Sequence, residues 1–408
     1  MIPYADFSYF VLLLYVAVPT VILGLFGRAG WRWGLLVTTV MLLVQYQDLL
    51  HLREHFPVRE IWLVSAFALW QWLIVRAFAG SGARAGWLFY GAIGLSLLPL
   101  AIAKVVPLIW LKTQFGFLGI SYVTFRALDI VFCLRDGVIA APGTFDLFMF
   151  LFFFPTISAG PIDRYRRFVG DWRKTRSRAE FLTDLDSAVH HFFRGLLYKF
   201  ILAAVIERHW LNLAARGDSF TALLSYMYAY SFYLFFDFAG YSAFAISVSY
   251  LFGVHTPENF NRPFLARNIR DFWNRWHITL SFWFRDHVYM RFLLAAARGK
   301  WFRNMHTAAI LGYFLAFGLM GLWHGIETHY IVYGLYMATL LSAFHIFSSW
   351  KKVHHYWREG PLWNALAIFI TFNAVCFGML IFSGHVGAAP NAHRTSEKVL
   401  LKNATSSD

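Results

Sequence analysis

Cysteine is nearly absent: Cys133 and Cys376 are the only two among 408 residues. Both sit inside apolar runs, which argues against a disulfide framework or a cysteine metal cluster. Charge is scarce too, at 14% of residues against about 25% in an ordinary soluble domain. The chain has no phosphate-cradling P-loop, dinucleotide fingerprint or G-x-S-x-G elbow, which speaks against ATPase, dehydrogenase and serine hydrolase chemistry. No fixed-period repeat and no Pro-, Gly- or Ser-rich linker divides it. Residues 1–386 therefore read as one domain, followed by a polar tail, 387–408, with no apolar periodicity and the composition of a disordered segment.

What is abundant is apolar surface. Hydrophobic residues make up 59% of the chain and aromatic residues 20%, too much for one soluble core to hide. A spanning helix needs roughly 20 mostly apolar residues. Such stretches lie near 7–27, 33–50, 60–79, 86–103, 115–134, 144–160, 192–214, 220–253, 304–325, 327–348 and 361–384. The expected fold is an all-α polytopic membrane protein with about eleven transmembrane helices, plus re-entrant and interfacial helices. The first run begins beside Asp6 and ends at Gly27-Arg28 without a small-residue cleavage pattern, so it reads as a retained span.

The net charge of +14 sits in short loops between these runs, so it reads as membrane topology and implies no nucleic-acid partner. The densest cluster, Arg164, Arg166, Arg167, Arg173, Lys174, Arg176 and Arg178, is expected on the cytoplasmic side by the positive-inside rule. The segment 178–191 reads as a charged surface helix, and 254–300 stands apart as a polar stretch between spans.

Wound as a helix at about 100° per residue, Arg270 to Arg285 places Arg270, Asn274, His277, Ser281 and Arg285 within about 80° of one another. Phe272, Trp273, Trp276, Leu280 and Trp283 then form an adjoining wall. Such a helix suits either the membrane interface or the lining of a wet, substrate-filled cavity. His324 closes the run Phe317 to Gly325, with Gly321 and Gly325 four apart, a spacing that lets a backbone or ligand approach closely. An imidazole near hydrocarbon is costly unless paired or hydrated. Its titration near neutrality suits it to take a proton from an attacking hydroxyl, although a histidine at a helix end can also be structural. No metal site is expected. His51-Leu-Arg-Glu-His55 matches H-x-x-E-H in letters, but Pro57 follows at once and no further ligand is evident. His190-His191 and His354-His355 read as solvated faces.

Asp271-Phe-Trp-Asn-Arg-Trp-His277, Ser281-Phe-Trp-Phe-Arg-Asp286 and Gly321-Leu-Trp-His-Gly325 together resemble the membrane-bound O-acyltransferase family. Gly119 to Phe125, Ser158 to Phe168, Phe238 to Ser242 and Thr256-Pro-Glu-Asn-Phe-Asn261 are most similar to its D-alanyl transfer branch, and the likeness runs from about 115 to 340. The resemblance implies a ring of helices around a thin central tunnel in the plasma (inner) membrane. His324 would be the catalytic base. His277 would be a second catalytic residue, steering a thioester or stabilising the tetrahedral oxyanion.

Asn274, Ser281, Arg285 and Trp323 are the expected substrate-binding residues. The donor implied is D-alanine on the phosphopantetheine arm of an acidic, cytoplasmic carrier protein, so no cofactor is held by the chain itself. The acceptor implied is a hydroxyl of lipoteichoic acid or a related anionic envelope polymer on the outer side, with further membrane proteins of D-alanylation as possible partners. Val288, Met290, Arg291, Leu293, Leu294, Arg298 and Lys300 form an apolar patch rimmed with positive charge that suits the carrier, or equally an ordinary positive-inside loop. Two other readings stand beside this one: an O-acetyltransferase of an exported polysaccharide of the alginate type, and a lipid or polymer transporter, which the lack of two similar halves disfavours.

Overall fold

The computed structural model describes residues 3–28, 30–47, 59–82, 86–109, 116–354 and 360–387. Among them every regular element is a helix and no strand occurs. In hydrocarbon a segment must satisfy its backbone within itself, and a helix does so. Eight helices are long and apolar enough to cross a bilayer: Phe7–Leu25, Glu60–Gly80, Gly86–Val106, Arg178–Ala214, Phe220–Leu251, Met305–His324, Thr328–Lys351 and Pro361–Ser383. The runs expected at 33–50, 115–134 and 144–160 fold as α2 (Trp31–Gln47), α5 (Ile120–Arg135) and α6 (Thr144–Phe152), of 17, 16 and 9 residues. Among the described residues these are shorter than the roughly 20 residues a full crossing takes, and eight helices there meet that length. The H-x-x-E-H letters at 51–55, His355 and the tail from 388 lie outside the described residues.

The described chain forms two compact units. The first takes Met1–Ile201, Phe236–Phe260 and His277–Leu280; the second takes Leu202–Phe235, Asn261–Trp276 and Ser281–Asp408. In the first unit α1 (Phe7–Leu25) starts at Asp6, whose carboxylate accepts the Tyr9 amide at 3.2 Å. Its Phe10 ring packs on Phe192, Phe200 and Phe244 with centroids 4.7–5.8 Å apart. Gly24 leaves room for the Phe181 ring, which a Cβ would meet at 2.2 Å. Arg126, fully buried on α5, donates to the carbonyls of Phe150, Leu151 and Thr156 and to the Thr156 hydroxyl. It thereby satisfies the turn that ends α6, whose carbonyls have no helical partner.

The basic cluster is mostly tied to acids. Arg164 pairs with Asp129 at 2.9 Å, Arg173 with Asp146 at 2.6 Å, Lys174 with Glu180 at 2.8 Å and Arg176 with Asp184 at 3.0 Å. Arg176 also donates to the carbonyls of Tyr250 and Leu251, which caps the end of the long helix Phe220–Leu251. The expected surface helix is present as Arg178–Gly195, started by a reciprocal Ser177–Glu180 capping box. His190 on it is exposed as expected, but His191 is not solvated: its Nε2 donates to the Glu258 carboxylate at 2.9 Å, and Arg194 donates to the same carboxylate at 2.8 Å. Burial pushes the Glu258 carboxyl up, yet the bonds from His191 and Arg194 outweigh it and hold it below the usual carboxylate range.

In the second unit the helices Met305–His324 and Thr328–His354 form a tight antiparallel pair joined by three residues. Gly321 and Gly334 make the close approach possible. A Cβ on Gly334 would sit 2.4 Å from the Phe317 carbonyl, and one on Gly321 would sit 2.5 Å from that of Tyr330. Small residues serve this purpose where apolar burial gives helices no reason to associate in lipid. Cys376 is buried here beside Met227 and Leu380.

Candidate active site

The polar stretch 254–300 does not form one continuous helix. A short helix, Ile269–Trp273, ends at Asn274, a second begins at Ile278 and runs to Phe284, and the backbone at His277 is left-handed with φ +42°. The break has a local cause. Asn259, wholly buried, accepts the Ile278 amide on its backbone carbonyl at 2.9 Å and the Thr279 amide on its side chain at 3.3 Å. These long-range bonds replace the helical ladder, and a non-glycine residue adopts φ > 0 only where its surroundings impose it. The expected single stripe is therefore split, with His277 in the first unit and Arg270, Asn274, Ser281 and Arg285 in the second.

His277 is buried, with 4% of its surface exposed. Its Nδ1 lies 3.0 Å from Asn259 Oδ1, and its ring meets the Phe238 ring edge to face at 4.8 Å. The same Oδ1 accepts the Thr279 hydroxyl at 2.9 Å. Asn259 Nδ2 donates to Ser242, and the Thr279 hydroxyl in turn accepts the Ile162 amide at 3.0 Å.

In the second unit Arg270, Asn274, Ser281 and Arg285 line a cavity of about 510 Å³. Its other walls include Trp273, Met290, Leu293, Phe317 and Met320. Arg285 lies over the Phe282 ring at 4.0 Å with its Nε on Asp286 at 2.8 Å, and Arg270 lies over Phe344 at 5.5 Å. Ring faces hold both guanidiniums where an apolar wall would otherwise repel them. Sequence reasoning missed His345, which lines the same cavity and meets His306 through Nε2···Nδ1 at 2.9 Å. The two are 39 residues apart, and nothing in their local pattern links them.

His324 is the last residue of its helix, with Gly325 turning the chain away in an extended conformation. Its ring is partly exposed and lies among aromatics. Trp323 is 4.5 Å away, Phe382 stands edge-on at 4.9 Å, and Tyr330 and Tyr333 follow at 6.0 and 6.4 Å. Trp323, expected to bind substrate, is thus a neighbour of this imidazole rather than a wall of the arginine-lined cavity. A Cβ on Gly325 would meet the Glu327 carboxylate and the Tyr330 ring at 2.2 and 2.4 Å, so a side chain there would have to displace both beside His324.

The expected docking residues form one segment. After a wide turn at Arg285–Tyr289, which contains Val288, the helix Met290–Arg298 exposes Met290 and Leu294. Leu293 faces the cavity with Met290, Arg291 is half-buried, and Arg298 and Lys300 are exposed beyond. Among the described residues no group of three or more His, Cys, Asp or Glu side chains could hold a metal ion.

Comparison with known proteins adds a further set of observations. The model of the membrane-bound O-acyltransferase family matches residues 132–383. The chain is 42% identical to the teichoic acid D-alanyltransferase of Bacillus subtilis (strain 168) over 397 residues, covering 94% of this chain and 98% of that one. It is 38% identical to the teichoic acid D-alanyltransferase of Lacticaseibacillus rhamnosus, covering 94% and 97%. To a probable alginate O-acetylase of Pseudomonas putida it is 29% identical, covering 79% of this chain and 67% of the relative.

Proposed function

This chain belongs to the membrane-bound O-acyltransferase family, and from that membership we propose that it moves D-alanine from a carrier-protein thioester to a hydroxyl of an anionic envelope polymer of the teichoic acid class. It is a multi-pass membrane protein, and we place it in the plasma (inner) membrane. The observation that carries the reading is likeness to teichoic acid D-alanyltransferases along nearly the whole of both chains. The shorter and weaker match to an alginate O-acetylase supports acetyl transfer to a polysaccharide less well.

A thioester is already activated, so the protein has to position it, exclude water and activate the acceptor alcohol. In the proposed step His324 takes the proton of the acceptor hydroxyl as its oxygen attacks the thioester carbonyl. The tetrahedral intermediate collapses, the C–S bond breaks, and His324 returns the proton to the departing sulfur. An ester and a free thiol result, and the imidazole is neutral again.

The cavity of the second unit suits the donor arm. Phosphopantetheine carries a phosphate followed by an extended, mildly polar chain; Arg270 and Arg285 suit the phosphate, and Asn274 and Ser281 suit its amides. The exposed Met290 and Leu294 with Arg298 and Lys300 suit an acidic carrier, with apolar contact ringed by opposite charge. On this reading the donor side is cytoplasmic and the acceptor side is outside.

The test is donor choice by the purified protein in liposomes. D-alanyl-loaded carrier should be consumed, and acetyl-loaded carrier or free D-alanine should not. Consumption of the acetyl donor alone would sink D-alanylation and leave the polysaccharide acetyltransferase reading.

A further inference from the structure

The bonds around Asn259 constrain the chemistry of His277. Carbonyl and amino ends of an asparagine side chain are told apart by their partners. Here the Thr279 backbone N–H, which can only donate, points at Oδ1 at 3.3 Å. The Thr279 hydroxyl already accepts the Ile162 amide, so its own proton is available to the same Oδ1 at 2.9 Å. On the other end, Nδ2 donates to the Ser242 hydroxyl at 3.3 Å. The carboxamide is therefore oriented with its oxygen toward residues 277–279. His277 Nδ1, 3.0 Å from that oxygen, meets an acceptor and must carry the hydrogen.

We propose that Asn259 is a positioning residue that holds His277 as the Nδ1–H tautomer, so that in its neutral form the imidazole offers the lone pair of Nε2. The proposal rests on the acyl-transfer reading above for its consequence but not for its geometry. A histidine in this state receives a hydrogen bond through Nε2 and cannot give one to an oxyanion. Of the two roles open to His277, the tautomer selects steering of a donor or acceptor group that carries a proton, and it removes stabilisation of the tetrahedral oxyanion by the neutral ring. The other contacts fit a ring held in one pose. The left-handed backbone at residue 277 and the bond from the Ile278 amide to the Asn259 carbonyl fix the main chain on both sides of Cα. The Phe238 edge contact at 4.8 Å blocks rotation of the ring. Asn259 and Ser242 lie in the Thr256–Asn261 and Phe238–Ser242 segments, to which the sequence reading gave no chemical role, and this places both around one imidazole.

The direct test is a nitrogen NMR spectrum of protein labelled with ¹⁵N-histidine in lipid, with the His277 resonances identified by subtraction of His277→Asn, a residue that tolerates the same left-handed backbone. At neutral pH the protonated, pyrrole-like signal is expected on Nδ1 and the pyridine-like signal on Nε2. A proton on Nε2 would overturn the proposal, whatever the protein catalyses. In Thr279→Val, which removes a different bond to the same oxygen, the Nδ1–H signal should persist. Asn259→Leu, which removes the acceptor, should lose the single tautomer and lower kcat by about 10²-fold, the lower end of what a positioned acid–base group contributes, with KM changed little. A full kcat in a folded Asn259→Leu protein with altered tautomer would reject the positioning role. If the tautomer is as stated and no D-alanyl transfer is seen in any variant, the functional reading fails and the geometric one stands.

Discussion

His277 and His324 are both histidines that the sequence singles out, but they sit in opposite surroundings. His277 is buried, has a left-handed backbone and is bonded to a buried asparagine. His324 ends a long helix, is partly exposed and has aromatic rings for neighbours. The difference teaches what each can do. A ring fixed by hydrogen bonds has a set tautomer and a set direction, which suits orienting another group. A partly exposed ring at a helix end suits exchange of a proton with a substrate that reaches it.

That contrast can be broken in several places. The largest effect is expected at the proton acceptor: His324→Ala should lower kcat by about 10²–10⁴-fold with the fold intact, as read by circular dichroism. Next comes the arginine-lined cavity, where Arg285→Ala and Arg270→Ala should each raise KM for the loaded carrier by about tenfold, since a hydrogen bond to a charged group contributes about 1.5–3 kcal/mol. An unchanged KM for both would separate the cavity from the donor. Gly334→Val places a Cβ where only 2.4 Å separates it from the Phe317 carbonyl, and overpacking of this kind costs about 1–3 kcal/mol. Thermal unfolding in detergent should show it, and a Tm equal to wild type would mean the helix pair tolerates separation.

The smallest effect concerns the His191–Glu258–Arg194 group. The Glu258 carboxyl is held below the usual carboxylate range by those partners. Its contribution is therefore present above the unfolded-state value near 4.3 and fades as pH falls through the lower folded-state value. Glu258→Gln should lower stability slightly at pH 7, by less than about 1 kcal/mol because the carboxylate is half-exposed, and the difference in Tm should vanish in acid. A gap that widened on acidification would reverse the assignment.

The helical class was legible because lipid leaves a chain with 59% hydrophobic residues few alternatives. Gly321 was legible too, since its spacing marks a close approach. The break at His277 was not. Helical periodicity assumes that each amide finds the carbonyl four residues back, and here Asn259 supplies competing acceptors to the amides of Ile278 and Thr279 from 19 and 20 residues away. For the same reason the single helix assumed from Arg270 to Arg285 is broken at His277, while Arg270, Asn274, Ser281 and Arg285 line one cavity. The ion pairing of the basic cluster was not legible, because its acids, Asp129, Asp146 and Asp184, lie on other helices or further along the chain. Ion pairs across such separations leave no periodic trace.

The most direct measurement is single-turnover decay of a D-alanyl thioester on carrier protein mixed with liposomes holding the wild-type protein or His324→Ala, with acceptor polymer present. Loss of thioester matched by new D-alanyl ester in the wild type, and persistence of the thioester with His324→Ala, is the predicted result. Ester formation at the wild-type rate without the His324 imidazole would contradict the account.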